Sequence, residues 1–563
     1  MLPARQSDFE LIMKLDRPAR KTIFFFIILA LLSACVQQPP KITPPSVFIT
    51  FTPTVLPSPT LPPTPTVIPV ERSIGAPVPQ LLREEAQALG ISLVLDISPV
   101  PASELAADET RIQWIYVLAA PFATLRDGVT SHELREVWDA DASHLLLMED
   151  STRAAFTALW GEPAAGSVRS VPAAQLLDAA WAESAWAIIP FEALTPRWKV
   201  LAVDGQSPIQ KSFDPSKYPL QVAFTLQSAS DFHPQNYDPS KLATVVVTGT
   251  TALVRATAYK MEKKGITYPG EGVRSLMREA DIAHVSNEVS FFTDCPFPNP
   301  NSGRLIFCSA PRNIGLLADI GVDVVELTGN HFADYGNNAM DETLSLYRSN
   351  HLAYYGGGSN FQDSLKPATF EVNGNRIAFI GCNLPDAGKS NIATDDHPGS
   401  APCDFDYFTS RVAELKSQGY FVIFTFQWGE NYVPQPDPSQ MEGFRRMVDA
   451  GAAVVSGSQA HFPKTMEFYN GAFIHYGLGN LFFDQMGNFD WMPAGIRREF
   501  LDRYVIYEGR LISVELITTL LEDFARPRIM TPQERSAFLR EYFLDSGWQP
   551  VLDEFSPVEI SVP

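Results

Sequence analysis

Residues 324–336 read VVELTGNHFADYG, a β-branched apolar run that breaks at a Gly into a cluster of polar side chains. Three further stretches repeat the pattern: FVIFTFQWGENY at 421–432, AAVVSGSQAHFP at 452–463 and FIHYGLGNLFFDQ at 473–485. In an α/β fold the ends of neighbouring strands open into one crevice, where side chains from distant parts of the chain meet. Four such ends carrying His, Asn, Gln, Glu and Asp therefore predict one composite site. The intervening sequence supports the fold. FDYFTSRVAELKSQGYFVIFTFQWG (405–429) reads as helix, Gly stop and strand, and 438–461 repeats that unit, with Asp449, Ala450 and Gly451 as the helix end. Upstream, LATVVVTGTTALVRA (242–256) and DIAHVSNEVSF (281–291) read as strands, and 313–331 as helix, turn and strand. GAFIHYGLGNLFF (471–483) and YVIYEGRLISVELI (504–517) close the region as hairpin-like strands. A mixed α/β domain is expected over 240–525, followed by a helix and tail over 526–563.

At 563 residues the chain exceeds one ordinary domain. It is 45% hydrophobic and 19% charged, a globular composition, with a net charge of −21 from 64 acidic and 43 basic residues. That balance argues against a nucleic-acid backbone as partner, because such contacts are made by Lys and Arg.

The amino terminus indicates export. Arg17, Arg20 and Lys21 precede an apolar run over 23–32, too short to span a bilayer as an ordinary helix. Small residues follow, and Leu32-Ser33-Ala34-Cys35 resembles the bacterial lipobox, in which the Cys becomes the lipidated first residue. Residues 1–35 are thus expected to be a lipoprotein signal with Cys35 as the lipidation site; the alternative is an ordinary secretory signal. Residues 36–70 are dense in Pro and Thr. Pro lacks a backbone donor and fixes φ, so this stretch predicts an extended spacer from a membrane.

Residues 71–228 alternate amphipathic segments (79–89, 130–139) with apolar ones (91–97, 112–123, 185–194, 198–205), which predicts a second, smaller α/β domain. Its order resembles part of a periplasmic solute-binding protein of the phosphate-binding type. A ligand-free spacer domain is the other reading. Cys295 with Cys308, and Cys382 with Cys403, flank polar loops and suit local bridges outside the cytoplasm, although four Cys allow three pairings. No CxxC pair favours zinc.

A Gly and an Arg after the first strand, a Glu after the second, then Asn330-His331, Asp334-Tyr335-Gly336, Trp428-Gly429 with Tyr432, His461 and Leu478-Gly479-Asn480 with Asp484 follow in an order that resembles the CapA family of capsule and poly-γ-glutamate synthesis proteins. The resemblance covers about half the chain. It implies a four-layer α/β/β/α metallophosphoesterase-like sandwich in a membrane-tethered, extracytoplasmic protein acting on an anionic surface polymer or a phosphate-containing substrate. Related phosphoesterases bind two divalent metals and direct a bridging hydroxide at a phosphate ester. Carried over residue by residue, Glu288, Asn330, His331 and His461 are the expected ligands of a divalent ion (Mn, Mg, Zn or Fe). His331, His461, Asp334 and Arg255 are the expected catalytic set, with Asp334 orienting His331 and Arg255 clamping an anion. Gln427, Trp428 and Asn480 are expected to line the substrate. His475, inside an apolar strand, reads as structural, and Asp395, Asp396 and His397 as a solvated loop.

The departures weigh against two-metal chemistry. Where the family has Gly-Asp, this chain has Gly249-Thr250; where it has a His before Trp-Gly, this chain has Gln427; and the first His of its Gly-His-His-Pro-His is Ser458. One carboxylate and two imidazoles are replaced by neutral groups, and cations need such ligands. Two readings remain: a surface metal-dependent hydrolase or transferase, and a polymer- or solute-binding lipoprotein whose chemistry has been lost.

Overall fold

The computed structural model describes residues 78–88, 95–96, 110–140, 145–226, 234–384, 391–486 and 493–551. The signal segment with Cys35, the Pro/Thr spacer, most of the strand expected over 91–97 and the tail beyond 551 lie outside the described residues. Among the described residues no helix is long and apolar enough to cross a membrane.

Two sheets build the larger domain. In the first, four parallel strands run in the order Ala353–Tyr355, Val324–Glu326, Ile282–Asn287 and Leu242–Thr248. The antiparallel strands Arg498–Tyr507, Arg510–Glu522 and Arg526–Ile529 continue it. In the second, Asn375–Asn383, Phe421–Gln427, Val454–Ser458 and Ala472–His475 are parallel, edged by antiparallel Ala368–Val372 and Met466–Tyr469.

Side-chain alternation sets the layers, because successive residues of a strand point to opposite faces. Val245, Val247, Ile377, Phe379 and Ile423 pack together between the sheets. Their neighbours point outward: Val246 packs against the layer of Leu316, Leu317 and Leu344, and Ala378, Ile380, Val422 and Phe424 against that of Val412, Phe444 and Met447. The result is helix, sheet, sheet, helix. Helix ends follow their sequence signals: Asp437 caps Pro438–Ala450 by accepting from Gln440 N, and Gly451 ends that helix in the left-handed region.

The segment 471–483 does not form a hairpin. Ala472–His475 lies in the second sheet, and the chain then crosses to the first, where Asn480–Phe482 pairs with the short strand Thr250–Thr251. The crossing requires Gly249, because a Cβ there would lie 2.2 Å from the Gly479 carbonyl oxygen. Both local disulfides form, Cys295–Cys308 and Cys382–Cys403.

The smaller domain holds an eight-stranded sheet around Thr110–Pro121. Its core is continuous with Leu242, Val505, Tyr507 and Ile512 of the larger domain, and both lie within one compact unit, residues 72–563. Leu242 opens the strand whose far end leads to Thr250. Seven residues at about 3.3 Å each put the junction roughly 20 Å from the strand ends that carry the polar motifs.

Candidate functional site

The polar motifs meet where the parallel strands end. Thr250 pairs with Ser286 on one side and Asn480 on the other, and Glu288 N donates to the Thr251 carbonyl at 2.9 Å. An isolated parallel bridge joins Val289 to His331, so Glu288 and Asn330 are neighbours across the register. The approach is close enough that a Cβ on Gly329 would lie 2.5 Å from the Glu288 Cα, and only Gly fits.

Glu288 is 1% exposed, and neither of its carboxylate oxygens has a hydrogen-bond partner; the buried Asn330 Oδ1 is likewise unpartnered. His461 Nε2 lies 3.7 Å from Glu288 Oε1, and its Nδ1 lies 2.8 Å from Asn480 Oδ1. A buried carboxylate without donors is costly, and an adjacent unpartnered amide oxygen adds a second acceptor with nothing to accept from. This set of acceptors fits a cation. Both Gln459 and His461 sit at positive φ, 75° and 51°, a backbone state that non-glycine residues adopt at a cost and that clusters at functional sites.

His331 stands beside Val289 on the neighbouring strand end. Its Nδ1 is 2.6 Å from Asp334 Oδ2, and the same oxygen accepts from Phe307 N at 2.7 Å. Asp334 therefore orients His331, as an outer carboxylate does for a working imidazole, and leaves Nε2 available. The Phe307 ring packs against His331 and the Phe483 ring against His461, with 6.3 Å between the two phenyl centroids. The two imidazoles flank Glu288 on one strand-end rim.

Several expectations change. Among the described residues no three His, Cys, Asp or Glu side chains gather as a metal-holding group. His331 is thus not gathered with Glu288 and His461 into such a group; its Nδ1 is bound to Asp334 and its Nε2 is left available. Arg255 is not a free clamp: its Nε and Nη2 both bind Asp484, which also accepts from Ala256 N. Trp428 does not line the site. Its indole is buried among Phe405, Phe426 and Phe444 on the helix side of the second sheet. Gln427 donates to Gln459 Oε1 at 2.5 Å, and Gln459 N donates to Thr250 Oγ1, so this edge of the site is built from neutral amides and a hydroxyl. Asn480 holds His461.

Other groups settle as the sequence suggested. His475 is fully buried and bound to Asp502 Oδ2 and the Lys464 carbonyl. Asp395, Asp396 and His397 are exposed in a loop. Gln459, Gln485 and Tyr432 were not singled out as site residues from sequence. All three lie within the quoted motifs, but nothing in spacing marks which polar residue at a strand end turns inward.

The donor set admits one divalent ion: a carboxylate, an amide oxygen and an imidazole. It does not fit two, since Thr250, Gln427 and Ser458 provide no anionic or imidazole ligand.

In structural terms the class is a two-sheet α/β/β/α domain with a buried polar cluster at its parallel strand ends. Residues 244–485 match the family model described as bacterial capsule synthesis protein PGA_cap. The chain is 33% identical over 175 residues to the PGA biosynthesis protein CapA of Bacillus subtilis, covering 31% of this chain and 46% of that protein. It is 26% identical over 272 residues to the capsule biosynthesis protein CapA of Bacillus anthracis, covering 47% of this chain and 66% of that protein. The chain therefore spans about half to two-thirds of these relatives. Among solved structures, the NAD nucleotidase of Haemophilus influenzae aligns over 53% of this chain and 55% of its own, at 11% identity and a TM-score of 0.33. A phosphate transport receptor from Vibrio cholerae aligns over 24% and 66%, at 12% identity and a TM-score of 0.21. Scores this low do not establish a common fold.

Proposed function

We propose that this chain is a cell-surface CapA-type protein that acts in the synthesis or processing of an anionic polymer of the poly-γ-glutamate kind, through a site for a single divalent cation. The observation that carries the cation is the buried Glu288 carboxylate, unpartnered beside the unpartnered Asn330 Oδ1 and within 3.7 Å of His461 Nε2. Glu288, Asn330 and His461 would hold the ion. A cation held there would polarise a phosphoryl or acyl oxygen and stabilise the charge that develops on it.

The remaining chemistry belongs to the side chains. His331, with Nδ1–H directed at Asp334, can exchange a proton with a leaving oxygen or nitrogen at Nε2. Phe307 and Phe483 wall the rim between the two histidines. Gln427, Gln459 and Thr250 offer uncharged donors where an anionic polymer would meet no repulsion. The smaller domain packs at the far end of the strands, so any ligand it takes is bound apart from this pocket. Residues 17–35 support export and lipidation at Cys35, with the spacer holding the folded body away from the membrane.

The test is metal analysis of the purified chain by mass spectrometry, together with incubation with poly-γ-glutamate and Mn²⁺. One ion per chain, lost in Glu288→Gln, and a polymer that is retained or shortened only with the ion present are the expected results. Shortening that disappears in His331→Ala while retention persists identifies catalysis. Retention unaffected by either substitution identifies binding elsewhere and overturns the site. Loss of fatty-acid labelling in Cys35→Ala checks the anchor.

A further inference from the structure

The acceptors around His461 belong to a chain of hydrogen bonds whose direction is fixed from both ends. At one end Asn480 Nδ2 lies 3.4 Å from the His461 backbone carbonyl, an atom that only accepts. The Asn480 amide is therefore oriented with its nitrogen toward that carbonyl, and its Oδ1 faces His461 Nδ1 at 2.8 Å. At the other end the Tyr432 hydroxyl meets the Glu430 carboxylate, which also only accepts, so the phenol donates there. Its oxygen accepts from Gln485 Nε2 at 3.3 Å, which turns Gln485 Oε1 toward Asn480 Nδ2 at 3.1 Å. Read outward from His461, each link donates to the next: Nδ1–H to Asn480, Asn480 to Gln485, Gln485 to Tyr432, Tyr432 to Glu430.

We propose that Asn480, Gln485 and Tyr432 form a positioning relay that holds His461 as its Nδ1–H tautomer, with the Nε2 lone pair presented to the space beside Glu288. A ring nitrogen binds a metal or takes a proton through its lone pair, and which nitrogen carries it is set by the hydrogen bond at the other. Without the relay the ring would reverse this choice, because Nε2–H could donate to the carboxylate 3.7 Å away. Successive links polarise one another in a shared direction and strengthen the donor character of Nδ1–H. Two features stiffen the far end. Lys464, 1% exposed, donates Nζ to the Val433 and Gln435 carbonyls and braces the loop that carries Tyr432. Burial and the Glu430 carboxylate push the Tyr432 phenol far above its usual range, so it stays a donor.

The relay rests on the cation reading of the pocket, but its primary test does not. The full chain is labelled with ¹⁵N-histidine and examined by NMR in chelator; the His461 signal is the one lost in His461→Gln. Nδ1 protonated and Nε2 bare is the expected result; Nε2–H or a mixture of tautomers in the wild type overturns the relay. Asn480→Ala is expected to shift His461 toward Nε2–H and to weaken Mn²⁺ binding, read by calorimetry, about 10- to 100-fold, the range for loss of an outer partner of a metal ligand. Tyr432→Phe and Gln485→Ala are expected to move the same signal less far, and serve if Asn480→Ala does not fold. If the wild type shows Nδ1–H but takes up no Mn²⁺, the cation site fails and the relay stands. If folded Asn480→Ala keeps both the tautomer and the affinity, the relay is overturned and the cation site stands.

Discussion

Glu288→Gln separates stability from function in one substitution. The wild-type carboxylate is buried, with both oxygens unpartnered. Leaving a buried polar group unsatisfied costs about 1–3 kcal/mol, and a charged one more. The amide keeps the volume and removes the charge. In chelator the variant should therefore be more stable than the wild type, because the amide still bears the neutral penalty but not the excess that the charge adds to it. With Mn²⁺ at a hundred times its dissociation constant the wild type gains about 2.7 kcal/mol by mass action, and the variant, lacking the anionic ligand, gains close to nothing. The order of melting temperatures should converge or invert between the two conditions. Differential scanning calorimetry of both proteins in chelator and across a Mn²⁺ titration reads this directly. A variant that melts lower in chelator would show that Glu288 is satisfied by a group of the protein itself. Equal Mn²⁺ shifts for both proteins would show that the ion binds elsewhere. Either result removes the cation argument.

Three further outcomes are expected. Arg255→Ala leaves Asp484, whose side chain is 4% exposed, without its guanidinium; breaking such a buried pair should cost about 3–5 kcal/mol in denaturant unfolding, and Arg255→Lys should recover only part because one donor cannot replace the fork. Replacing Cys382 and Cys403 together by Ala opens a loop with a sequence separation of 21 and should cost about 3 kcal/mol, with a similar figure for Cys295 and Cys308 at a separation of 13. His284 is fully buried, which pushes its imidazole down to about 3. Below the unfolded value of 6.5 the unfolded chain binds the proton and the folded chain does not, so stability falls as pH drops from 6.5 toward 3, by about 2 kcal/mol at pH 5. The nearby Glu326 carboxyl, raised by burial, acts in the opposite sense, so the His284 share is read as the difference between wild type and His284→Phe, whose pH slope should be shallower.

Much of the architecture was legible because strand periodicity and helix stops are local. Val245 to Val247, or Ile377 to Ile380, announce a strand with two apolar faces, and the structure uses one face for each layer. Asp437 and Gly451 mark a helix start and stop in the chain itself. The crossing at 476–480 was not legible, since a Gly-rich break between two apolar runs serves a hairpin and a change of sheet equally well. Trp428 shows a similar limit: an aromatic at a strand end packs inward or outward according to the helix that covers it, here Pro438–Ala450.

The chain alone determined which chemistry is present and which is missing. Glu288, Asn330, His331, Asp334 and His461 stand at strand ends, and Thr250, Gln427 and Ser458 add only neutral groups there. Tertiary structure decided the partners, because each pairing joins residues far apart in sequence or depends on which way a side chain turns. Arg255 binds Asp484 across 229 positions, His461 takes its orientation from Asn480, and Glu288 is left buried with no donor. Composition fixes the inventory of donors and acceptors; only the packing of two sheets determines which of them are left without partners.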